Sequence, residues 1–276
     1  MAITAGNFYP SSPSRSDRFF PRKKKRIQIF HGAGCEGTRA LVVVASVPPT
    51  DSELRIASLN DDSEALCWVW PRHQQVQVRC FYRDQPIRFC GHGLLASAYA
   101  WQTSHPDGTM PLTIRTATAA YTVTQEHGLW LHCNRIVHHV TDSFPAHWFD
   151  LPPQQAASAG GNDGYWIFRW PRGFDLQRIG PRLDTMARET RRGIIATAQK
   201  DTTDTVTVRY FAPAYGQPED SATGSAAVIL ADYWAQPDLR LEQRSAKGGI
   251  LKTRLNAHSV ALSGAIRGLH EETGTE

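Results

Sequence analysis

The sequence predicts an α+β protein made of two similar halves, and three observations carry that expectation. Gly91-His92-Gly93-Leu94-Leu95-Ala96-Ser97-Ala98-Tyr99-Ala100-Trp101 and Gly224-Ser225-Ala226-Ala227-Val228-Ile229-Leu230-Ala231-Asp232-Tyr233-Trp234 repeat one design 133 residues apart. In each, ten residues separate a Gly-containing turn from a closing Trp. The rest of the chain reads mostly as short strands. Finally, 276 residues, 41% hydrophobic and 10% aromatic, can bury a sizeable core, and the length suggests two domains.

In chain order, strands are predicted at Ile27 to His31, Ala40 to Ala45, Leu66 to Trp70, Val76 to Tyr82, Leu112 to Thr116, Tyr121 to Gln125 and Leu129 to Cys133. Val76, Val78, Cys80 and Tyr82 show the two-residue alternation of a strand with one buried face. A helix over Pro49 to Leu59 and another over Gly93 to Gln102 interrupt them. Pro- and Gly-rich residues from Ser143 to Asp163 predict a crossover and linker. Strands follow at Gly164 to Trp170, Gly193 to Ala198, Thr205 to Phe211, Leu239 to Arg244 and Val260 to Ile266, with helices over Leu176 to Arg191 and Thr223 to Ala235. The two small-residue helices are apolar over much of their surface, so each is expected to be enclosed by its own sheet.

Charge is concentrated at the start. Residues 1–26 hold seven Lys and Arg against Asp17 alone, which leaves the remaining chain slightly acidic. With Ser and Pro abundant and no apolar periodicity, residues 1–25 are expected to be a disordered basic tail. Arg22-Lys23-Lys24-Lys25-Arg26 is read as solvated charge rather than a nucleic-acid patch, so no nucleic-acid partner is expected. Two domains then follow, over 26–145 and 146–265, with a C-terminal tail over 266–276. No apolar run reaches about 18 residues, so neither membrane span nor export is expected. Five cysteines, an odd number without metal-type spacing, fit a reducing cytoplasm.

Each repeated turn stands where a helix begins. Unpaired N–H groups and the positive dipole end therefore point at whatever lies in front. Two such ends facing one another would hold a small carboxylate, which is the expected substrate class. No Gly-rich nucleotide loop, metal cluster or flavin pattern occurs, so neither cofactor nor metal is expected.

Arg209-Tyr210-Phe211-Ala212-Pro213 followed by Glu219-Asp220-Ser221-Ala222-Thr223-Gly224-Ser225-Ala226 resembles the signature segment of the PhzF-like proteins of phenazine biosynthesis. Phe89-Cys90-Gly91-His92 resembles their Gly-His turn, and Ser63-Glu64 falls at their catalytic Ser-Glu pair. The resemblance runs from about Ile27 to Gly268. It implies the diaminopimelate-epimerase fold: two domains, each a β-barrel around one central helix, with the active site in the cleft between them. It further implies Glu64 as proton shuttle, His92 and Asp220 completing the constellation, and a homodimer. Gly37-Thr38-Arg39 replaces a usual Gly-Asn-Pro, Ser221 a usual Pro, and Gly248-Gly249 a usual Gly-Arg, so the substrate is expected to differ from that of the phenazine pathway.

Chemically, Glu64, its pKa raised by burial, could donate and accept a proton in turn and so complete an allylic shift. His92 could hold the substrate carboxylate, and Gly91, Gly93, Gly224 and Ser225 could supply anchoring groups. Asp220 equally suits an N-cap. Cys90 stands open between a supporting role and a small buried side chain. Cys-Gly-His-Gly also resembles the first half-site of two-thiol racemases, but no cysteine follows Cys133, which excludes that mechanism. The expected activity is a cofactor-independent isomerase. The alternatives are a racemase or epimerase working Glu64 or Cys90 against Asp220, and a noncatalytic metabolite-binding protein.

Overall fold

The basic run is a strand rather than a tail. In the computed structural model, which describes residues 22–54, 63–83, 85–87, 89–201, 203 and 205–274, β1 (Arg22–His31) lies antiparallel to β2 (Thr38–Val44) on one side and to the last strand, Ala265–Gly274, on the other. Lys25 is buried, its ammonium donating to Thr103 Oγ1 at 2.9 Å and pairing with Glu271 at 3.4 Å. Two expected tails are thereby corrected, because residues 22–25 pair with 271–274 and residues 266–270 with the strand that continues from them. Composition gives no hint of this, since the partners stand at opposite ends of the chain. Residues 1–21 lie outside the described residues.

β3 (Ala65–Arg72) runs parallel to β2, and β4 (Gln75–Tyr82) antiparallel to β3, followed by the short β5 (Gln85–Ile87). Both faces of β2 and β3 are covered, as is usual for parallel pairs. Val42, Ala65, Cys67 and Val69 face the main core, whereas Leu41, Val43, Leu66, Trp68 and Trp70 join a second cluster with Leu54. Continuous rather than alternating apolar runs result. Residues 51–54 are helical, and residues 55–59 of the helix expected over 49–59 lie outside the described residues.

Helix α1 (Gly91–Ser104) leads to β6 (Leu112–Arg115), β7 (Ala120–Gln125) and β8 (Leu129–Asn134). The residues expected to form a linker instead contain β10 (Gln155–Ala159), paired on one side with β9 (His138–Thr141) and on the other with β11 (Tyr165–Arg169). Small alanines there fit closely against neighbouring strands, although Ala has little β preference by itself. The helix expected over 176–191 is broken. A 3-10 turn at Leu176–Arg178 and α2 (Leu183–Glu189) flank Gly180-Pro181, where Pro supplies no N–H to continue a helix.

β12 (Gly193–Gln199), β13 (Val206–Phe211), α3 (Gly224–Trp234) and β14 (Asp238–Gln243) come next. β15 (Gly249–Leu255) was missed by the sequence reading because Gly248-Gly249 resembles a loop, while Gly264 divides one expected strand into β16 (Ser259–Ser263) and β17 (Ala265–Gly274).

The pairings form two parallel accounts. The series β17-β1-β2-β3-β4-β6-β7-β8-β16 and the series β9-β10-β11-β12-β13-β14-β15-β16-β8 show the same order of antiparallel and parallel contacts. In each, the helix connects the second parallel pair, β4 to β6 through α1 and β13 to β14 through α3. β8 and β16 pair with one another and close both series.

Leu94, Leu95, Ala96, Ala98 and Ala100 of α1 and Ala226 to Ala231 of α3 are all buried within the same core cluster. Small side chains let surrounding strands approach each helix from every side. A separate aromatic cluster, including Trp148, Phe149, Phe168 and Trp170, covers the other face of β11 and β12. Among the described residues, no helix is long and apolar enough to cross a membrane.

Candidate active site

The N-termini of α1 and α3 meet. A Cβ built on Gly91 would stand 3.0 Å from the Gly224 Cα, and one on Gly224 would stand 2.9 Å from the Gly91 Cα. Only glycines allow the two backbones to come so close. Neither helix carries an acidic residue in its first turn or a side-chain bond from its N-cap residue, Cys90 or Thr223. The first intrahelical bonds reach back from Leu94 to Cys90 and from Ala227 to Thr223. The amides of residues 91–93 and 224–226 precede those bonds, so both positive helix ends converge at the seam.

Around that seam lie Cys90, His92 and Asp220, all buried. The Cys90 Sγ stands 3.7 Å from His92 Nε2 and 3.8 Å from Nδ1. A hydrogen bond from Cys80 holds the Cys90 thiol well below its usual range; burial opposes this, and the charge of His92 supports it. Burial alone would keep His92 neutral, but the Cys90 thiolate and the Asp220 carboxylate push its pKa up to about 10. The two shifts run in the directions that favour a thiolate–imidazolium pair at the start of α1.

Asp220 is the carboxyl that burial pushes up, with His92 and the Thr223 hydroxyl pulling the other way and the Cys90 charge adding to the rise. Thr223 Oγ1 donates to Asp220 Oδ2 at 2.6 Å, and Asp220 Oδ1 is buried with no hydrogen-bond partner among the described residues. Gln243 of β14 holds this turn: its Nε2 donates to the Asp220 carbonyl at 2.6 Å, and its Oε1 accepts the Thr223 N–H at 2.7 Å. Asp220 thus presents one open acceptor in a fixed orientation. Its backbone precedes α3 by more than the single residue expected of an N-cap, and that cap position belongs to Thr223.

Glu64 reaches the site from the start of β3. Its Oε1 pairs with the Lys247 ammonium and accepts from Ser221 Oγ at 3.4 Å, while Oε2 accepts the Arg39 N–H at 3.0 Å. No hydrogen bond joins Glu64 to His92 or Asp220 among the described residues; the connection runs through Ser221, next to Asp220. The expected rise in its pKa is corrected. Burial does push upward, but Lys247 and the backbone amides of Glu64 and Arg39 hold the carboxyl below its ordinary value. Glu64 is an ionised acceptor in this structure. It lines a recess of about 340 Å³ with Arg26, Arg39, Ser63, Lys247 and Leu269.

Ser225 is hydrogen-bonded to Tyr165, whose phenol burial keeps protonated, and Tyr210 stands near Asp220 and is held protonated by burial too. Gly93 has no room for a side chain: a Cβ there would lie 2.7 Å from Cys67 Sγ and 2.8 Å from Cys90 Sγ. Lys247, Gln243, Tyr165 and Cys80 escaped the sequence reading. Tyr210 lay inside the quoted motif, and Lys247 adjoined Gly248-Gly249, but spacing alone does not bring either to the seam. Among the described residues, no group of three or more His, Cys, Asp or Glu is arranged to hold a metal ion.

Comparison with known proteins agrees with the motifs. The family described as phenazine biosynthesis-like protein matches residues 171–254. An uncharacterized isomerase of Halalkalibacterium halodurans is 25% identical over 246 residues, covering 86% of this chain and 92% of its own. Another uncharacterized isomerase, from Pseudomonas aeruginosa, is 25% identical across 87% of this chain and 93% of its own. The fold is similar to that of a PhzF-family phenazine biosynthesis protein from Enterococcus faecalis, with a TM-score of 0.81 and 20% identity over 92% of this chain and 99% of that one. It is also similar, at a TM-score of 0.57 and 11% identity over 94% of each chain, to a hydroxyproline epimerase from Agrobacterium vitis solved with trans-4-hydroxy-L-proline.

Proposed function

We propose that the PhzF-like resemblance of this chain extends to chemistry: it is a cofactor-independent isomerase that moves a proton between two carbons of a small cyclic or amino-acid-like carboxylate. The two strand series are read as two domains of one duplicated design, with the active site in a cleft where α1 and α3 meet. The observation that carries this reading is the convergence of both helix N-termini with His92 and the open oxygen of Asp220. The names of the two long-range relatives, both isomerases, support the reaction class.

Because Gly91 and Gly224 leave no space between them, the substrate carboxylate sits at the mouth of the seam. There it faces the amides of Gly93, Gly224 and Ser225 and the imidazolium of His92, donors suited to an anion excluded from water. Glu64, already ionised, takes a proton from carbon as the electron pair moves into the neighbouring bond. It then returns the proton to the far carbon of the allylic system. Lys247 lowers the basicity of Glu64, so its displacement by an incoming acidic group would raise that basicity when it is needed. The charge of Asp220 favours protonated His92, and its open oxygen accepts a hydrogen bond from a substrate amine or hydroxyl.

A second reading, α-carbon epimerisation with Cys90 on one face, draws support from the Cys90 thiolate. It lacks a second thiol on the opposite side. A metabolite screen in heavy water separates the possibilities. Deuterium at a new carbon with a shifted double bond supports the isomerase, and deuterium at an inverted α-carbon supports the epimerase. Binding without exchange supports a noncatalytic protein.

A further inference from the structure

Three thiols crowd around Gly93. Cys67 and Cys80 stand directly opposite one another on antiparallel β3 and β4, with sulfurs 3.1 Å apart. Cys90 adjoins both, since a Cβ built on Gly93 would stand 2.7, 2.8 and 3.0 Å from the sulfurs of Cys67, Cys90 and Cys80. Opposed residues in antiparallel strands have Cα atoms about 4.5 to 5.5 Å apart, inside the range a disulfide spans. A cavity of about 500 Å³ is lined by Cys80 and Cys90, together with Val78, Phe81, Ile87 and Leu94. Cys67, fully buried, does not line it. Small neutral molecules thus have a route to two of the sulfurs, and the third waits behind them.

We propose that Cys90, Cys80 and Cys67 form a thiol relay that reduces a small hydroperoxide and ends as a Cys67–Cys80 disulfide, returning Cys90 to its starting state. The Cys90 thiolate attacks one peroxide oxygen; the O–O bond breaks, and the other oxygen leaves as water or an alcohol after taking up a proton. Cys90 is then a sulfenic acid. The Cys80 sulfur attacks it, forming an S–S bond while the S–O bond breaks and water departs. Cys67 next attacks Cys80 and expels Cys90 as a thiolate, which the neighbouring His92 stabilises as a leaving group. Two thiol protons and two electrons have passed to one hydroperoxide. The result spares the sulfur beside His92 from the irreversible oxidation states above sulfenic acid.

This relay is independent of the isomerase reading and needs no substrate to test. The full-length chain is treated with hydrogen peroxide, denatured, alkylated and mapped by non-reducing peptide mass spectrometry. The expected product has lost two hydrogens, carries a Cys67–Cys80 bridge and retains an alkylatable Cys90. In Cys67→Ser the relay stalls as a Cys80–Cys90 bridge, and in Cys80→Ser Cys90 advances to sulfinic and sulfonic acid. If wild-type Cys90 is over-oxidised, or the bridge joins Cys35 of two chains, the relay is overturned. The wild-type map decides the matter even if a variant fails to fold.

Discussion

Gly91 and Gly224 touch across the seam between α1 and α3, each lacking the Cβ that would otherwise stand within 3.0 Å of the other's Cα. Leu262 Cδ2 closes the same space, 2.9 Å from either Cβ position. Gly91→Ala is therefore expected to cost about 1 to 3 kcal/mol through overpacking. Gly224→Ala should cost a similar amount, and the double variant less than the sum, because one displacement of the helices relieves both clashes. Thermal denaturation of the three variants checks this. Strict additivity would mean that the helices do not share the contact.

Glu64→Gln should preserve the melting temperature and lower turnover by about 100-fold to 10,000-fold, since an amide of the same shape cannot cycle a proton. Kinetics on the substrate found in the heavy-water screen measure it. Retention of a third or more of the activity removes Glu64 from the mechanism.

Lys247→Met removes the ammonium that helps to hold the Glu64 carboxyl below 4.5. The acidic limb of the rate profile should move upward, as expected for loss of a close opposite charge. Stability follows the same sign. In the wild type the pair stabilises the fold above the ordinary carboxyl value and loses that contribution as pH falls through the lower folded value. With Lys247 partly exposed, the stability change should stay within about 1 kcal/mol. An unmoved acidic limb would show that Glu64 titrates independently of Lys247.

Cys90→Ala tests the charge on His92. The imidazolium, pushed up to about 10 from an ordinary 6.5, contributes stability that is fully present below 6.5 and is lost as pH rises through about 10. Without the thiolate, burial should outweigh Asp220 and leave His92 neutral at about pH 8, where the wild type is charged. A titration of the His92 ring followed by NMR reads this directly. Identical curves would break the thiolate–imidazolium pair.

Deleting residues 1–25 should lower the melting temperature. It removes the part of β1 that pairs Arg22 to Lys25 with β17 and Lys23 to Lys25 with β2, and each lost backbone bond costs about 0.5 to 1.5 kcal/mol. An unchanged melting temperature would mean that these pairings add nothing to the fold.

The sequence by itself determined the features that depend on neighbours a few residues away. Small apolar residues after Gly91 and Gly224 marked two buried helices, alternation marked β4, and Thr223 with Asp220 marked a helix start, because local backbone geometry dictates those patterns. His92 and Asp220 could be named for the same reason: each adjoins a helix end. Tertiary structure decided what depends on residues distant in the chain. It joined the ends through β1 and β17, placed Lys247 on Glu64 across 183 positions, and lined up Cys67, Cys80 and Cys90. Electrostatics explains why the sequence misjudged Glu64. Burial alone raises a carboxyl, but a charge brought from elsewhere in the chain reverses the sign, and only the folded chain brings that charge into contact.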